Sequence, residues 1–239
     1  MKTMVVIPTY NEVSNLSELV SRILKLEVST LEILIVDDGS PDGTSGLAEK
    51  LAVANSPRRI HLLKRLKKQG LGPAYVAGFR EALKLGADQI IQMDADLSHS
   101  PEYIPEFLKC LQYHDVVVGS RYISGGQTDK GWPKRRRFLS GCGNFYMRVV
   151  SGVRLRDPCS GFKGFRREVL EAVKLETLQS KGFVFQTELA SRCQKLGYTV
   201  IETPILFHDR EAGRSKMSLG IIIEALWRIL PIRWYTRRL

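Results

Sequence analysis

Two aspartates one residue apart, Asp94 and Asp96, follow the apolar run Gln89–Met93. Alternate residues of a strand point the same way, so D-x-D at a strand end aims two carboxylates at one spot. Close carboxylates repel unless a cation sits between them. Oxygen donors favour Mg²⁺ or Mn²⁺, which commonly bridge protein carboxylates and substrate phosphates. Ser98 is the next same-side position and a third candidate oxygen ligand. A second cluster, D-D-G-S-P-D-G-T, spans residues 37–44. Turn formation and helix capping account for Pro41, Asp42 and Gly43. Asp37 and Asp38 are better suited to accepting hydrogen bonds from ribose hydroxyls or a base. A third, P-T-Y-N-E at 8–12, has a strand-ending Pro8, the ring face and hydroxyl of Tyr10, and the carboxylate of Glu12. Capping of the next helix by Asn11 or Glu12 is the competing reading of that segment.

These clusters require elements that bring them together. Met4–Ile7, Glu32–Val36, Ile60–Leu63, Gln89–Met93 and Val116–Val118 are short apolar runs rich in β-branched residues and read as buried strands. Helical patterns fill the gaps at Ser14–Leu26, Gly43–Ala54, Pro73–Leu85 and Pro101–Leu111, the last opened by Ser100-Pro101. Such alternation implies an α/β fold with a mostly parallel sheet, whose ligands bind beyond the carboxyl ends of the strands. All three polar clusters fall at such ends. Further on, the spacing predicts an exposed loop from Gly125 to Arg137, a helix to about Val150, and a loop through Asp157-Pro158. A strand over Ser160–Phe165, a helix from Arg167, a helix over Val184–Leu196 and a strand over Thr199–Phe207 complete the pattern. No repeat or linker divides residues 1–239, so a single domain is expected.

Charge distinguishes the two halves. Residues 1–120 hold 13 Lys/Arg against 15 Asp/Glu, and residues 121–239 hold 23 against 10. The basic half suits phosphorylated substrates, an anionic membrane or nucleic acid. No recognition motif for nucleic acid appears, which leaves a nucleic-acid-binding protein as the weaker reading. Cys110, Cys142, Cys159 and Cys193 form no C-x-x-C pair, which argues against a thiolate metal site and for buried free thiols in a reducing compartment. G-x-G-x-x-G and G-x-x-x-x-G-K-[ST] are both absent, which disfavours a Rossmann dehydrogenase or a P-loop NTPase. The N-terminus does not read as a signal peptide, and no 18-residue uncharged apolar stretch exists.

In order along the chain, V-V-I-P-T-Y-N-E, I-V-D-D-G-S-P-D-G-T, M-D-A-D-L-S-H and V-G-S-R-Y resemble the family 2 glycosyltransferases. Within that family the chain is most similar to the dolichyl- or polyprenyl-phosphate mannosyltransferases. G-W-P-K-R-R-R-F-L-S (131–140), D-P-C-S-G-F (157–162), G-F-V-F-Q-T-E (182–188) and D-R-E-A-G-R-S-K (209–216) extend the resemblance over almost the whole chain. It implies a GT-A fold, GDP-mannose as donor, and Mg²⁺ or Mn²⁺ as metal. Carried over by motif, the donor site comprises Pro8, Tyr10, Glu12, Val36, Asp38, Asp94, Ala95 and Asp96. Arg121, Arg210 and Lys216 match the phosphate-handling cations, and Arg136 a basic acceptor-loop residue, with a one-position ambiguity inside K-R-R-R. Ser98 stands where some members have Gln, which weakens its claim as a metal ligand. The resemblance also implies peripheral attachment at the cytoplasmic face of a membrane: endoplasmic reticulum in a eukaryote, plasma membrane in a prokaryote. A small membrane subunit is a further partner it allows.

The chemistry expected of these residues follows. Charge builds on the β-phosphate of the departing nucleotide, and the metal, Arg210 and Lys216 are placed to neutralise it. A phosphomonoester acceptor is already an oxyanion near neutral pH, because its second pKa is about 6. It requires placement more than proton removal, so Arg121 with Arg135 or Arg136 is expected as a phosphate clamp and no general base is obligatory. For His99, beside the metal motif, a loop hydrogen bond is favoured over a base. In-line attack would invert the anomeric carbon. Asp96, Arg121 and Arg136 are therefore the expected catalytic residues. Trp132 and Phe138 flank K-R-R-R in a pattern suited to an interfacial loop. The segment Leu219–Trp234, broken by Glu224, Arg228 and Arg233, lies in a membrane interface, docks on a membrane partner or packs on the domain. Residues 1–120 are thus expected as the nucleotide-sugar half, 121–218 as the acceptor half and 219–239 as the attachment segment. A transferase using a UDP-sugar, including a polyprenyl-phosphate glucosyltransferase, is the enzymatic alternative.

Overall fold

The computed structural model describes residues 1–55 and 59–209, together with Trp227, Ile229, Leu230 and Ile232. Strands β1 (Thr3–Thr9), β2 (Leu31–Asp37), β3 (Ile60–Lys64), β4 (Gln89–Gln92) and β5 (Val116–Ser120) alternate with helices α1 (Val13–Leu24), α2 (Thr44–Ala54), α3 (Leu71–Lys84) and α4 (Ile104–Cys110). The second half contributes β6 (Gln127–Thr128), α5 (Lys134–Ser151), β7 (Lys163–Arg166), α6 (Arg167–Ala172), α7 (Val184–Lys195), β8 (Val200–Pro204) and β9 (Leu206–Phe207). Seven strands form one sheet in the order β3-β2-β1-β4-β7-β5-β8; β6 and β9 form a separate two-stranded one. In the large sheet all pairs are parallel except the two made by β7.

Both faces of this sheet are covered, which is why its strands are continuously apolar rather than alternating. Successive residues of β1 enter different cores. Val6 joins Leu34, Val36, Tyr75, Phe79, Phe165, Phe185 and Leu189 beneath α3, α6 and α7. Val5 and Ile7 join Leu16, Ile23, Ile35, Ile91, Phe107 and Phe162 beneath α1, α2 and α4. Burying an aromatic such as Phe79 or Phe107 contributes roughly 1.5–3 kcal/mol. Helix α3 lies close on the sheet because Gly78 faces the side chains of Val6 and Val36, and a Cβ there would collide with both.

The chain begins in the middle of the sheet, runs outward to β3, and returns to β4 on the other side of β1. The strand order therefore reverses between β1 and β4. The crevice at such a reversal is where open α/β sheets bind ligands, and the polar ends of β1, β2 and β4 border it.

Three expectations change. The segment 125–137 is not one exposed loop. Gln127–Thr128 pairs in parallel with Leu206–Phe207, and α5 begins at Lys134, so K-R-R-R forms its first turn. Thr199–Phe207 is two strands in two sheets, divided at Pro204–Ile205, because Pro204 ends the ladder with β5. Nor are the thiols uniformly buried. Cys193 is, Cys110 and Cys159 are intermediate, and Cys142 is exposed on α5. The C-terminal segment is described at four residues only. Ile229 and Ile232 pack against Met147 and Val184, and Trp227 and Leu230 are exposed.

Candidate active site

Asp94-Ala95-Asp96 leaves the end of β4 where Met93 N still donates to Val6 O. Tyr75 of α3 donates its hydroxyl to Asp94 Oδ1 at 2.7 Å. Burial above all, then the charge of Asp94, pushes the Tyr75 phenol well above its ordinary range, so it remains a donor. The other oxygen, Oδ2, lies over Gly161; a Cβ built on Gly161 would stand 2.8 Å from it. Asp94 N donates to Nδ1 of His99 at 3.4 Å. Asp96 Oδ1 accepts from both the backbone N (3.2 Å) and the hydroxyl of Ser98. Leu97 makes that turn possible by adopting φ 61°, a left-handed conformation that a bulky residue seldom takes and that tends to mark functional loops.

The two carboxylates are hard oxygen donors of like charge beside the crevice, and both act electrostatically on Tyr75 and His99. This donor set fits Mg²⁺ or Mn²⁺. Among the described residues no third His, Cys, Asp or Glu joins the pair, so further ligands would come from substrate phosphates and water. Ser98 is 1% exposed with its proton committed to Asp96. It orients that carboxylate and has only Oγ lone pairs to offer a metal. Ala95 is buried in the core beneath α1 and α4.

The ends of β1 and β2 are laced together. Asp37 is an internal turn residue, bonded by Thr9 and by the backbone and hydroxyl of Ser40. Asp38 accepts from Arg65 at Oδ1 (2.5 Å) and from the backbone N of Gln69 at Oδ2 (3.0 Å). Its ion pair with Arg65 is largely shielded, since the two side chains are 5% and 13% exposed. Val36 is fully buried, with its side chain toward Gly78, so only its backbone reaches the crevice side. Pro8 pairs with Val36 in the β1–β2 register. Glu12 occupies the N-cap position of α1 without a side-chain cap bond, accepts from Asn15 Nδ2 at 2.9 Å, and donates its backbone N to Thr44 Oγ1. Lys68 Nζ lies 3.9 Å from the centre of the Tyr10 ring.

The basic residues divide into two situations. Arg121, at the end of β5, forms a two-pronged bond with Asp157, 2.7 Å on each side, and donates its backbone N to the same carboxylate. Burial opposes its charge, but the charge and hydrogen bonds of Asp157 overcome this and raise its pKa. Arg136, in the first turn of α5, bonds Asp209 at 2.8 Å and lies 3.9 Å over the Trp132 ring. Arg135 is exposed. Arg210 and Lys216 lie outside the described residues.

Phe207 connects these parts. Its ring meets His99 edge-on at 5.3 Å, Trp132 edge-on at 5.7 Å, and the Arg121 guanidinium at 5.0 Å. Next to it, His208 N donates to Ser98 O. Trp132, expected at an interface, is 6% exposed and wedged between Phe207 and Arg136. His99 is 1% exposed, flanked by Phe162 and Phe207, with Nδ1 accepting from the backbone of Asp94. Burial pushes its imidazole below the ordinary value. It holds the carboxylate loop and does not reach out as a base.

Residues 4–174 match the family described as Glycosyl transferase family 2. The chain is a family 2 glycosyltransferase. Over 229 residues this glycosyltransferase is 45% identical to the polyprenol monophosphomannose synthase of Mycolicibacterium smegmatis, covering 95% of this chain and 85% of that one. Over 238 residues it is 41% identical to the undecaprenyl-phosphate mannosyltransferase of Micrococcus luteus, covering 98% and 96%. Among solved structures, glucosyl-3-phosphoglycerate synthase from Mycobacterium tuberculosis in complex with Mn²⁺, UDP and glucosyl-3-phosphoglycerate aligns with a TM-score of 0.67 at 18% identity, covering 98% of this chain and 79% of that one. That likeness establishes the GT-A architecture of the glycosyltransferase.

Several site residues carry no local signal in the sequence. Tyr75 and Gly161 lie 19 and 67 positions from Asp94, and only packing brings them together. Arg65 sits in an ordinary basic stretch. Lys163 is fully buried beside β4, bonding Ser160 O and Gln186, and burial lowers its pKa to about 8. A lysine in a four-residue strand had only its apolar neighbours to mark it.

Proposed function

We propose that this glycosyltransferase moves mannose from GDP-mannose to the phosphate of a polyprenyl or dolichyl lipid. The observation that carries the reading is the meeting of an acidic and a basic region at Phe207: the loop of Asp94, Asp96 and His99 on one side, Arg121 and the Trp132–Arg136 stack on the other. A donor diphosphate and an acceptor phosphate each require one such region. The identities of 45% and 41% to a polyprenol monophosphomannose synthase and an undecaprenyl-phosphate mannosyltransferase support mannose as the sugar and a polyprenyl phosphate as the acceptor.

In this mechanism Asp94 and Asp96 hold the donor, with Tyr75 and Ser98 fixing their rotamers. A bound Mg²⁺ or Mn²⁺ would supply positive charge against the diphosphate as it departs. Arg121, preset by Asp157, and Arg135 or Arg136 orient the acceptor oxyanion. Arg210 and Lys216 remain assigned to the departing diphosphate. Because the acceptor is already ionised, its second pKa being about 6, no side chain has to remove a proton. Direct in-line displacement inverts the anomeric carbon. No helix among the described residues is long and apolar enough to cross a membrane. The acceptor's prenyl chain must stay in lipid, so the enzyme works at a membrane surface, which the family resemblance implies is the cytoplasmic face, alone or with a small membrane subunit.

Labelled GDP-mannose, incubated with polyprenyl phosphates and Mn²⁺ or Mg²⁺, should yield a mannosyl lipid labile to mild acid. Label transfer from a UDP-sugar but not from GDP-mannose would overturn the donor assignment and favour the UDP-sugar reading.

A further inference from the structure

Among the described residues, Lys163 is the one lysine that the core encloses. It stands in the middle of the large sheet, opposite Gln92 of β4 on one side and Val118 of β5 on the other. Alternate residues of a strand share a face. Ile90, Gln92 and Asp94 therefore point toward α3 and α7, and Lys163 and Phe165 point the same way. Along that face, apolar packing gives way toward the crevice to Gln92 and Lys163, and then to Asp94.

Lys163 Nζ donates to Ser160 O and to Gln186 Oε1, the latter at 2.8 Å. Gln186, from the first turn of α7, accepts with the same oxygen from Gln92 Nε2, which also donates to Gly161 O at 3.0 Å. The ammonium thus grips the Ser160–Gly161 turn twice, directly at one carbonyl and through two amides at the next. Gly161 is the residue over which Asp94 Oδ2 lies, and Gln92 also reaches the Tyr75 phenol that bonds Asp94 Oδ1. Both oxygens of Asp94 are therefore seated on groups that this network holds.

Stability does not account for the arrangement. Lys163 is 0% exposed and forms no ion pair among the described residues. Burial lowers its pKa to about 8, with Cys159, Asp157 and Asp94 opposing the fall, so it is still charged at neutral pH. Gln92 Oε1 and Gln186 Nε2 are buried without a partner among the described residues. A buried charge and two idle amide atoms cost stability that apolar side chains of the same volume would not. What the network provides is the placement of a turn.

We infer that Lys163 is a positioning residue of the donor site: through Ser160 O, Gln186 and Gln92 it fixes the turn against which Asp94 is set, and so fixes the carboxylate that meets the metal and the donor diphosphate. This role rests on the reading of Asp94 as a ligand of the donor and its metal.

The parent, Lys163→Met and Lys163→Met/Gln186→Leu are compared by thermal melt, by amide hydrogen exchange, and by calorimetric titration of GDP with and without Mn²⁺. Both variants should melt no lower than the parent, because the charge and its acceptor are replaced by apolar groups. Exchange across residues 157–162 should quicken while that of β1 and β2 is unchanged. The gain in GDP affinity that Mn²⁺ confers should fall about 10–100-fold, the usual loss when a group orienting a metal ligand is removed. GDP affinity without metal should be unchanged. Exchange and Mn²⁺-dependent affinity equal to the parent's would overturn the proposal. So would a lowered melt with parallel losses of metal-dependent and metal-free binding, or failure of both variants to fold, since either assigns Lys163 to stability alone. If the parent binds neither GDP nor UDP with Mn²⁺, the reading of Asp94 falls, and exchange at residues 157–162 by itself decides whether Lys163 holds the turn.

Discussion

Asp94 is held from three directions: by the Tyr75 hydroxyl, by the His99 ring through the backbone, and by the bare face of Gly161. Each contact makes a separate expectation. Tyr75→Phe keeps the ring between Phe79 and Phe185 but removes a hydrogen bond to a charged group, worth about 1.5–3 kcal/mol. The apparent affinity for Mn²⁺ and donor should fall roughly tenfold or more by that figure, measured by calorimetric titration of the nucleotide with metal. Gly161→Ala should drive the Asp94 carboxylate from its place and reduce kcat/KM by about a hundredfold, the scale of loss for a misplacement near 1 Å. Asp96→Ala should abolish turnover while the thermal melt survives; unchanged activity would refute the metal assignment. The carboxylates themselves were legible in the sequence because a D-x-D after an apolar strand is a local pattern. Tyr75, Gly161 and Phe207 were not, because what makes them site residues is a packing distance between segments far apart in the chain. Arg121 was legible as a cation, but its partner Asp157 read as part of a loop and of the D-P-C-S-G-F motif with no role attached.

At the scale of elements, strand and helix alternation in residues 1–120 was readable because buried parallel strands are apolar without interruption. The second half was less so. The loop read through Arg137 hid the start of α5, since four consecutive basic residues carry no apolar period and Pro133 could open a helix or continue a loop. Strands β6 and β9, two residues each, are too short to show any period. Two consequences follow from particular elements. Glu102 ties the turn before α4 to Arg22 of α1 at 2.7 Å. Although burial opposes ionisation, hydrogen bonds from Arg22 and Ser100 lower its pKa from 4.5 to about 2. A lowered carboxylate stabilises the fold fully above its unfolded pKa and loses that contribution as pH falls through the folded value. Urea midpoints of the parent should therefore decline between about pH 4.5 and 2 more steeply than those of Glu102→Gln. The difference should stay within ~1 kcal/mol, because the pair is partly solvated. In α5, Gly141 faces open space, so Gly141→Ala should raise stability by about 0.5–1 kcal/mol in denaturant unfolding.

For the whole molecule, a ligand that bridges β1, β2 and β4 binds the native sheet and not the unfolded chain. GDP with Mn²⁺ at a hundredfold excess over its Kd should add about 2.7 kcal/mol, or roughly 5–10 °C in Tm for a chain of this size. Stabilisation by UDP and not by GDP would overturn the donor assignment. The strand order carries a further implication, for how the protein is made. In the order β4-β7-β5, the partner that closes the open edge of β4 comes from residues 163–166. While the chain emerges from a ribosome, β1 to β4 can assemble early, yet the edge of β4 has nothing to pair with and β5 has no neighbour. An unpaired apolar edge is an invitation to another nascent chain. Gly161, which seats Asp94, arrives with the same late segment. The donor carboxylates are thus finally positioned only after the segment carrying Gly161 and β7 has been made, and a product cut short before it carries the aspartates without a working cradle.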